Sequence, residues 1–145
     1  MAINTSKVVV GGLAAGVIGN LVGYVGFGML LGPRFEAEAV AVAPALAGRG
    51  MSTAGIVTNV VSTVVLGLLL VWLYAAMRPR FGPGARTAIL AAIVVWLCGF
   101  LFHMDWLIAG MMTQQTYALA SLVALVQTIA SAWVGAMLYK EDGAA

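Results

Sequence analysis

The sequence predicts an all-α fold, a polytopic transmembrane four-helix bundle, and three observations predict it. Hydrophobic residues make up 63% of the 145-residue chain and charged residues only 8%, where soluble domains carry roughly 25%. The mean hydropathy is +1.05. The few charges are also clumped: Val8 to Pro33, Gly50 to Met77, Thr87 to Met104 and Trp106 to Tyr139 contain none. Each of these runs reaches the roughly 18 residues that mark a membrane-helix candidate. So little polar surface cannot cover a soluble globule, and the alternating ten-residue segments of a membrane β-barrel are missing. The whole chain, 1–145, reads as one integral membrane domain.

The first helix is expected over about residues 8–31, stopped by Gly32-Pro33 because proline cannot continue the hydrogen-bond ladder. Its apolar stretch after Lys7 exceeds the roughly 7–15 residues of a cleavable signal core, so it reads as an uncleaved span. Between it and the second helix, Phe35, Ala39, Val42 and Leu46 recur at helical spacing with Glu36 and Glu38 off the stripe. That pattern predicts a short surface helix ending near Pro44. The second helix is expected over 53–77, with Ser52 or Thr53 as N-cap and Pro79 beyond its end. The third is expected over 87–106 and the fourth over 116–139, followed by the polar tail Lys140-Glu141-Asp142. The short, turn-rich link Arg78 to Arg86 makes the second and third helices an antiparallel hairpin.

Orientation follows from the basic residues. Lys7, Arg78, Arg80, Arg86 and Lys140 fall on one side of this topology and only Arg34 and Arg49 on the other. The excess places both termini and the hairpin loop in the cytoplasm, in a bacterial inner membrane. Trp72, Tyr74 and Tyr139 are expected at the inner interface, Trp106 and Tyr117 at the outer one, and Trp96 inside the bundle.

Within the helices the clearest pattern is a glycine seam. Gly12, Gly16, Gly19, Gly23 and Gly26 repeat at heptad spacing, and Ser121, Ala124, Thr128, Ser131 and Gly135 repeat the device on the fourth helix. Small residues on one face allow close helix approach. They serve either packing within the bundle or a seam with another chain. Asn20 and Gln127, near the middle of their helices, and Asn59 need hydrogen-bond partners in hydrocarbon, from each other or across helices.

His103 and Asp105, with Asn59, Ser62, Thr63, Gln114 and Gln115, form the ionisable and polar constellation of the outer end. His103 reads either as an interfacial hydrogen-bonding residue or as an axial ligand for a tetrapyrrole. Arg78, Arg80 and Arg86 read as topology determinants or as a grip on anionic lipid headgroups. The single cysteine, Cys98, excludes an intramolecular disulfide and a CxxC site, and the single histidine excludes bis-histidine haem within one chain. The net charge of +2 sits at membrane flanks, so lipid rather than nucleic acid is the expected partner.

Required residues set several small membrane families aside. Helix 1 lacks the glutamate of small multidrug transporters, and the chain lacks the cysteine pair of thiol-type quinone or epoxide reductases. The hairpin Trp72-Leu-Tyr-Ala-Ala-Met-Arg78-Pro-Arg-Phe-Gly-Pro-Gly84-Ala-Arg-Thr87 resembles the signature of a family of uncharacterised small bacterial four-helix membrane proteins. The resemblance implies the topology and a fixed hairpin, and it implies no activity. Abundant packing surface with little chemistry leads to the expectation of a non-enzymatic structural or accessory subunit. Such a subunit packs against other transmembrane chains, in a photosynthetic or respiratory complex. The alternatives are a small homo-oligomeric channel or transporter, and a pigment- or haem-binding subunit using His103.

Overall fold

The structure, a computed structural model, describes residues 3–139. It is helical throughout, with no strand among the described residues. Four of its helical segments are long and apolar enough to cross a membrane, as the uncharged runs predict. Lys140 and the polar tail lie outside the described residues.

Helix α1 spans Thr5–Gly23. It begins before Val8 because Asn4 caps it, its Oδ1 accepting from the Lys7 amide at 3.1 Å. The helix then widens into a π-helical segment, Tyr24–Leu30, rather than continuing as plain α-helix. Gly32-Pro33 does more than stop it. Proline suits a first helical turn, where its missing N–H is not needed, and the pair opens the expected short helix α2, Gly32–Val42.

Helix α3 spans Thr53–Phe81 and starts where expected, with Ser52 Oγ accepting from the Gly55 amide at 3.1 Å. Its end is a correction: the helix runs on past Met77 and carries Pro79 in its last turn. A proline there forfeits the bond to the carbonyl of residue 75 and crowds that carbonyl, and the helix ends two residues later. Gly82, at φ 80°, makes the actual stop, its amide donating to the Arg78 carbonyl at 2.9 Å. The Thr87 hydroxyl then donates to the Gly82 carbonyl at 2.7 Å, and the Gly84 amide donates to Tyr74 Oη at 3.1 Å, fixing the hairpin into α4.

The third span is not one helix over 87–106. Helix α4 covers Ala85–Phe102, His103 leaves helical geometry at ψ 1°, and a separate short helix α5 covers Met104–Ile108. Local side chains offer the backbone an alternative here. His103 Nδ1 donates to the Gly99 carbonyl at 2.8 Å, and Asp105 Oδ1 accepts from the Trp106 amide at 2.9 Å. Helix α6 spans Gln114–Leu138, beginning two residues before Thr116 because Thr113 is its N-cap.

Helix α1 is central, packed between α3 and α6, while α4 packs on α6 and on the hairpin end of α3. The glycine seam explains how. A Cβ on Gly12 or Gly16 would meet the Cα of Leu68 or Val64 at 2.6 and 2.8 Å. Gly23 and Gly26 lie against Gln127 and Val123 of α6, and Gly19 lies between Thr63 and Ser131. Gly67 answers from α3, and Gly135 from α6 faces the Gly11 carbonyl. All five seam glycines are therefore occupied within the chain. On α6, Thr128, Ser131 and Gly135 are buried, whereas Ser121 and Ala124 are only half-buried and border the cleft described below.

The core lies toward the hairpin end. Among the described residues, none of α3 is buried before Gly67 and none of α4 after Ala92. Tyr74 and Tyr139, expected in an interfacial belt, are each 3% exposed and meet edge to face at 6.0 Å. Their rings finish the core instead. Trp72 is exposed as a belt residue would be.

Candidate functional site

The buried residues of α3 and α4 lie toward their hairpin, and the bundle contains a cleft of about 680 Å³. Small side chains at Ala88, Ala91 and Ala92 bring the helices together at one end. Beyond them α4 presents Trp96, Gly99 and Phe100 to the gap, facing Tyr117 and Ser121 of α6. Trp96 is inside the bundle as its position predicts, with Nε1 donating to the Ser121 carbonyl at 2.8 Å. Its ring lies 5.6 Å from Phe100, which lies 5.3 Å from Tyr117. The Tyr117 hydroxyl donates to the Phe100 carbonyl. At the far end Phe27 of the π segment stacks on Phe35 of α2 at 6.3 Å, and both rings line the cleft. These walls are aromatic faces, and the polar handles of Trp96 and Tyr117 are already used.

Asn20 and Gln127 bond across helices, though not to each other, whereas the Asn59 side chain makes no hydrogen bond among the described residues. Gln127 Nε2 donates to the Gly19 carbonyl at 2.8 Å. Asn20 Nδ2 donates to the Gly16 carbonyl of its own helix at 2.9 Å and to the Val60 carbonyl of α3 at 3.4 Å. Both fasten α1 to its neighbours, and Gln127 also borders the cleft.

The polar constellation expected at this end is not assembled. His103 lies at the cleft's rim, its ring 6.3 Å from that of Trp106. Asp105 is turned to the Trp106 amide, so no His–Asp pair forms. Asn59 and Ser62 are exposed on α3 and do not border the cleft, and Thr63 donates to the Asn59 carbonyl at 2.9 Å. Gln114 and Gln115 are exposed. A cluster that sequence reasoning missed takes their place. Glu38 Oε1 accepts from the hydroxyls of Thr113 and Thr116 at 2.6 and 2.7 Å, and Oε2 accepts from the Thr113 amide at 3.3 Å. Desolvation pushes the Glu38 carboxyl up, but these hydrogen bonds and the nearby Arg34 charge outweigh it and hold the group below the ordinary carboxylate value. No local signal marks Glu38, because its partners lie 75 and 78 residues away.

The three arginines separate. Arg78 is half-buried with its guanidinium over the rings of Tyr74 and Tyr139, 5.9 and 5.4 Å from their centroids, so it packs into the bundle. Arg80 and Arg86 are exposed and remain available to headgroups. Cys98 is exposed and borders the cleft. Among the described residues no three His, Cys, Asp or Glu side chains gather as a metal-holding group. No family model, curated protein or solved structure matches the chain.

Proposed function

We propose that the chain is a non-enzymatic accessory subunit of a bacterial cytoplasmic membrane that holds a lipophilic small molecule in the cleft lined by α3, α4 and α6. Its termini and hairpin face the cytoplasm in this reading. The observation that carries it is the cleft: about 680 Å³ walled by aromatic faces, within the roughly 300–1,000 Å³ of small-molecule sites. The lining supports holding rather than turnover, since the Trp96, Tyr117 and Thr128 donors are committed to backbone carbonyls and no metal-holding group gathers among the described residues. Asn59 supports the accessory role. Its amide is exposed on a spanning helix and makes no side-chain hydrogen bond among the described residues. A neighbouring membrane chain would supply one.

Gly99 gives a clean test, because a Cβ built on it meets nothing within 4 Å while the residue borders the cleft. Gly99→Phe therefore adds a ring at the cleft's border with no clash at its Cβ. Wild type and variant are purified in mild detergent, and their solvent extracts are compared by mass spectrometry and absorption. A lipophile enriched over bulk lipid in the wild type and depleted in Gly99→Phe is the expected result. Identical extracts from the two proteins defeat the reading.

A further inference from the structure

The polar accounting at the cleft's rim specifies the guest's head group, given the reading of the cleft as a lipophile site. Deep in the cleft, Trp96, Tyr117 and Thr128 give their protons to the carbonyls of Ser121, Phe100 and Ala124. Gln127 gives one N–H to Gly19. Two rings at the rim differ. His103 Nδ1 lies 2.8 Å from the Gly99 carbonyl. A carbonyl can only accept, so Nδ1 carries the hydrogen, and in the neutral ring Nε2 keeps a bare lone pair. Trp106, beside it at 6.3 Å between ring centroids, has an Nε1–H that can only donate and that bonds no acceptor among the described residues.

An uncommitted acceptor and an uncommitted donor on neighbouring rings call for a group that both donates and accepts, and the smallest is a hydroxyl, which gives a proton to the first and accepts from the second. A ketone or an ether satisfies only Trp106, and an ammonium only His103. The body of the guest follows from the walls. From Tyr117 to Thr128 the cleft runs about 16 Å along α6, at 1.5 Å per residue, between aromatic faces that favour a flat or unsaturated chain. We propose that the cleft binds a long unsaturated alcohol of the bilayer, its hydroxyl at the rim between His103 Nε2 and Trp106 Nε1.

The test uses retinol and its methyl ether as probes, each titrated as a mole fraction of nanodisc lipid. In a Trp72→Phe/Trp133→Phe background Trp96 and Trp106 are the chain's remaining tryptophans, and energy transfer to the polyene above that of empty nanodiscs reports occupancy. Half-maximal transfer is expected at a roughly three- to tenfold lower mole fraction for the alcohol than for the ether, the value of one neutral hydrogen bond. His103→Leu should bring the alcohol to the level of the ether. Equal titrations in this background overturn the proposal while leaving the cleft reading standing. A preference that survives His103→Leu overturns the assignment to that nitrogen. Transfer from either probe no greater than in Gly99→Phe removes the cleft reading and the proposal with it.

Discussion

Glu38 Oε1 accepts a hydrogen bond from Thr113 Oγ1 at 2.6 Å, joining two residues 75 positions apart. Through this bond and the one from Thr116, a carboxylate from α2 caps the N-terminus of α6, the end of a helix that favours negative charge. Helix α2 itself has no buried residue, so this tie and the Phe27–Phe35 stack hold it to the bundle.

Glu38→Gln keeps the shape and removes the charge, and should cost about 1 kcal/mol, as lost helix caps do. Faster amide hydrogen exchange at Thr113 and Thr116 is the local measure. The pH dependence has a defined sign. Glu38 is lowered in the folded chain from an ordinary value of 4.5, so its contribution is full above that value and fades as pH falls through the lowered one. Wild type should lose the protection on acidification, and Glu38→Gln should show no such step.

Substitutions along the seam should separate by what a Cβ would strike. At Gly67 it meets the Gly12 carbonyl oxygen and the Gly16 nitrogen at 2.6 Å, backbone that cannot rotate away. Gly67→Ala should destabilise by about 1–3 kcal/mol, the usual cost of overpacking. At Gly28 it meets only the Tyr24 ring at 3.4 Å, and Gly28→Ala should leave the melting temperature in detergent nearly unchanged. Equal melting temperatures for both variants would show that α1 and α3 are not in contact there.

The hairpin arginines should divide in the same way. Arg78→Met removes the cation over Tyr74 and Tyr139 and should cost about 1 kcal/mol of stability, with coupling to Tyr139→Leu in a double-mutant cycle. Arg80→Gln and Arg86→Gln should spare stability and instead weaken retention of anionic lipid, by about 1 kcal/mol per charge. Lipid retention lost with Arg78→Met alone would reverse the assignment.

Topology is checked by labelling. Gly48 and Gly84 have positive φ, where any side chain is strained, so the neighbouring exposed Ala47 and Ala85 are the better places for cysteine. In a Cys98→Ala protein, Ala85→Cys should react from the cytoplasm and Ala47→Cys from outside. Reaction of both from one face would defeat the proposed orientation.

The four spans were legible because freedom from charge over a membrane's width is a property of consecutive residues. The seam was legible for the same reason, as a period, and even Trp96 could be placed inside because it fits no boundary. The features that were missed depend on partners distant in sequence or on geometry without a residue signature. The third span reads as one helix through Trp106, and the break at His103 is visible only once its ring bonds the Gly99 carbonyl. Pro79 reads as a terminator, yet the helix carries it in its last turn and ends two residues later. The cleft has no sequence motif at all, since its lining comes from residues as far apart as Phe27 and Thr128.

The π-helical segment closes its turns through residues five apart, as in the bond from the Leu31 amide to the Gly26 carbonyl at 3.0 Å. It therefore holds surplus chain, and everything beyond it is rotated relative to a plain α-helix. Removing one residue there would swing the following segment by about 100°, carrying Phe35 away from the cleft mouth while leaving Gly12 and Gly16 seated on α3. In genetic terms, the loss of a single codon between Tyr24 and Leu30 is the smallest lesion that re-aims the entrance without altering any side chain beyond it. Among descendants of this gene, the length of that stretch should be held more strictly than its letters.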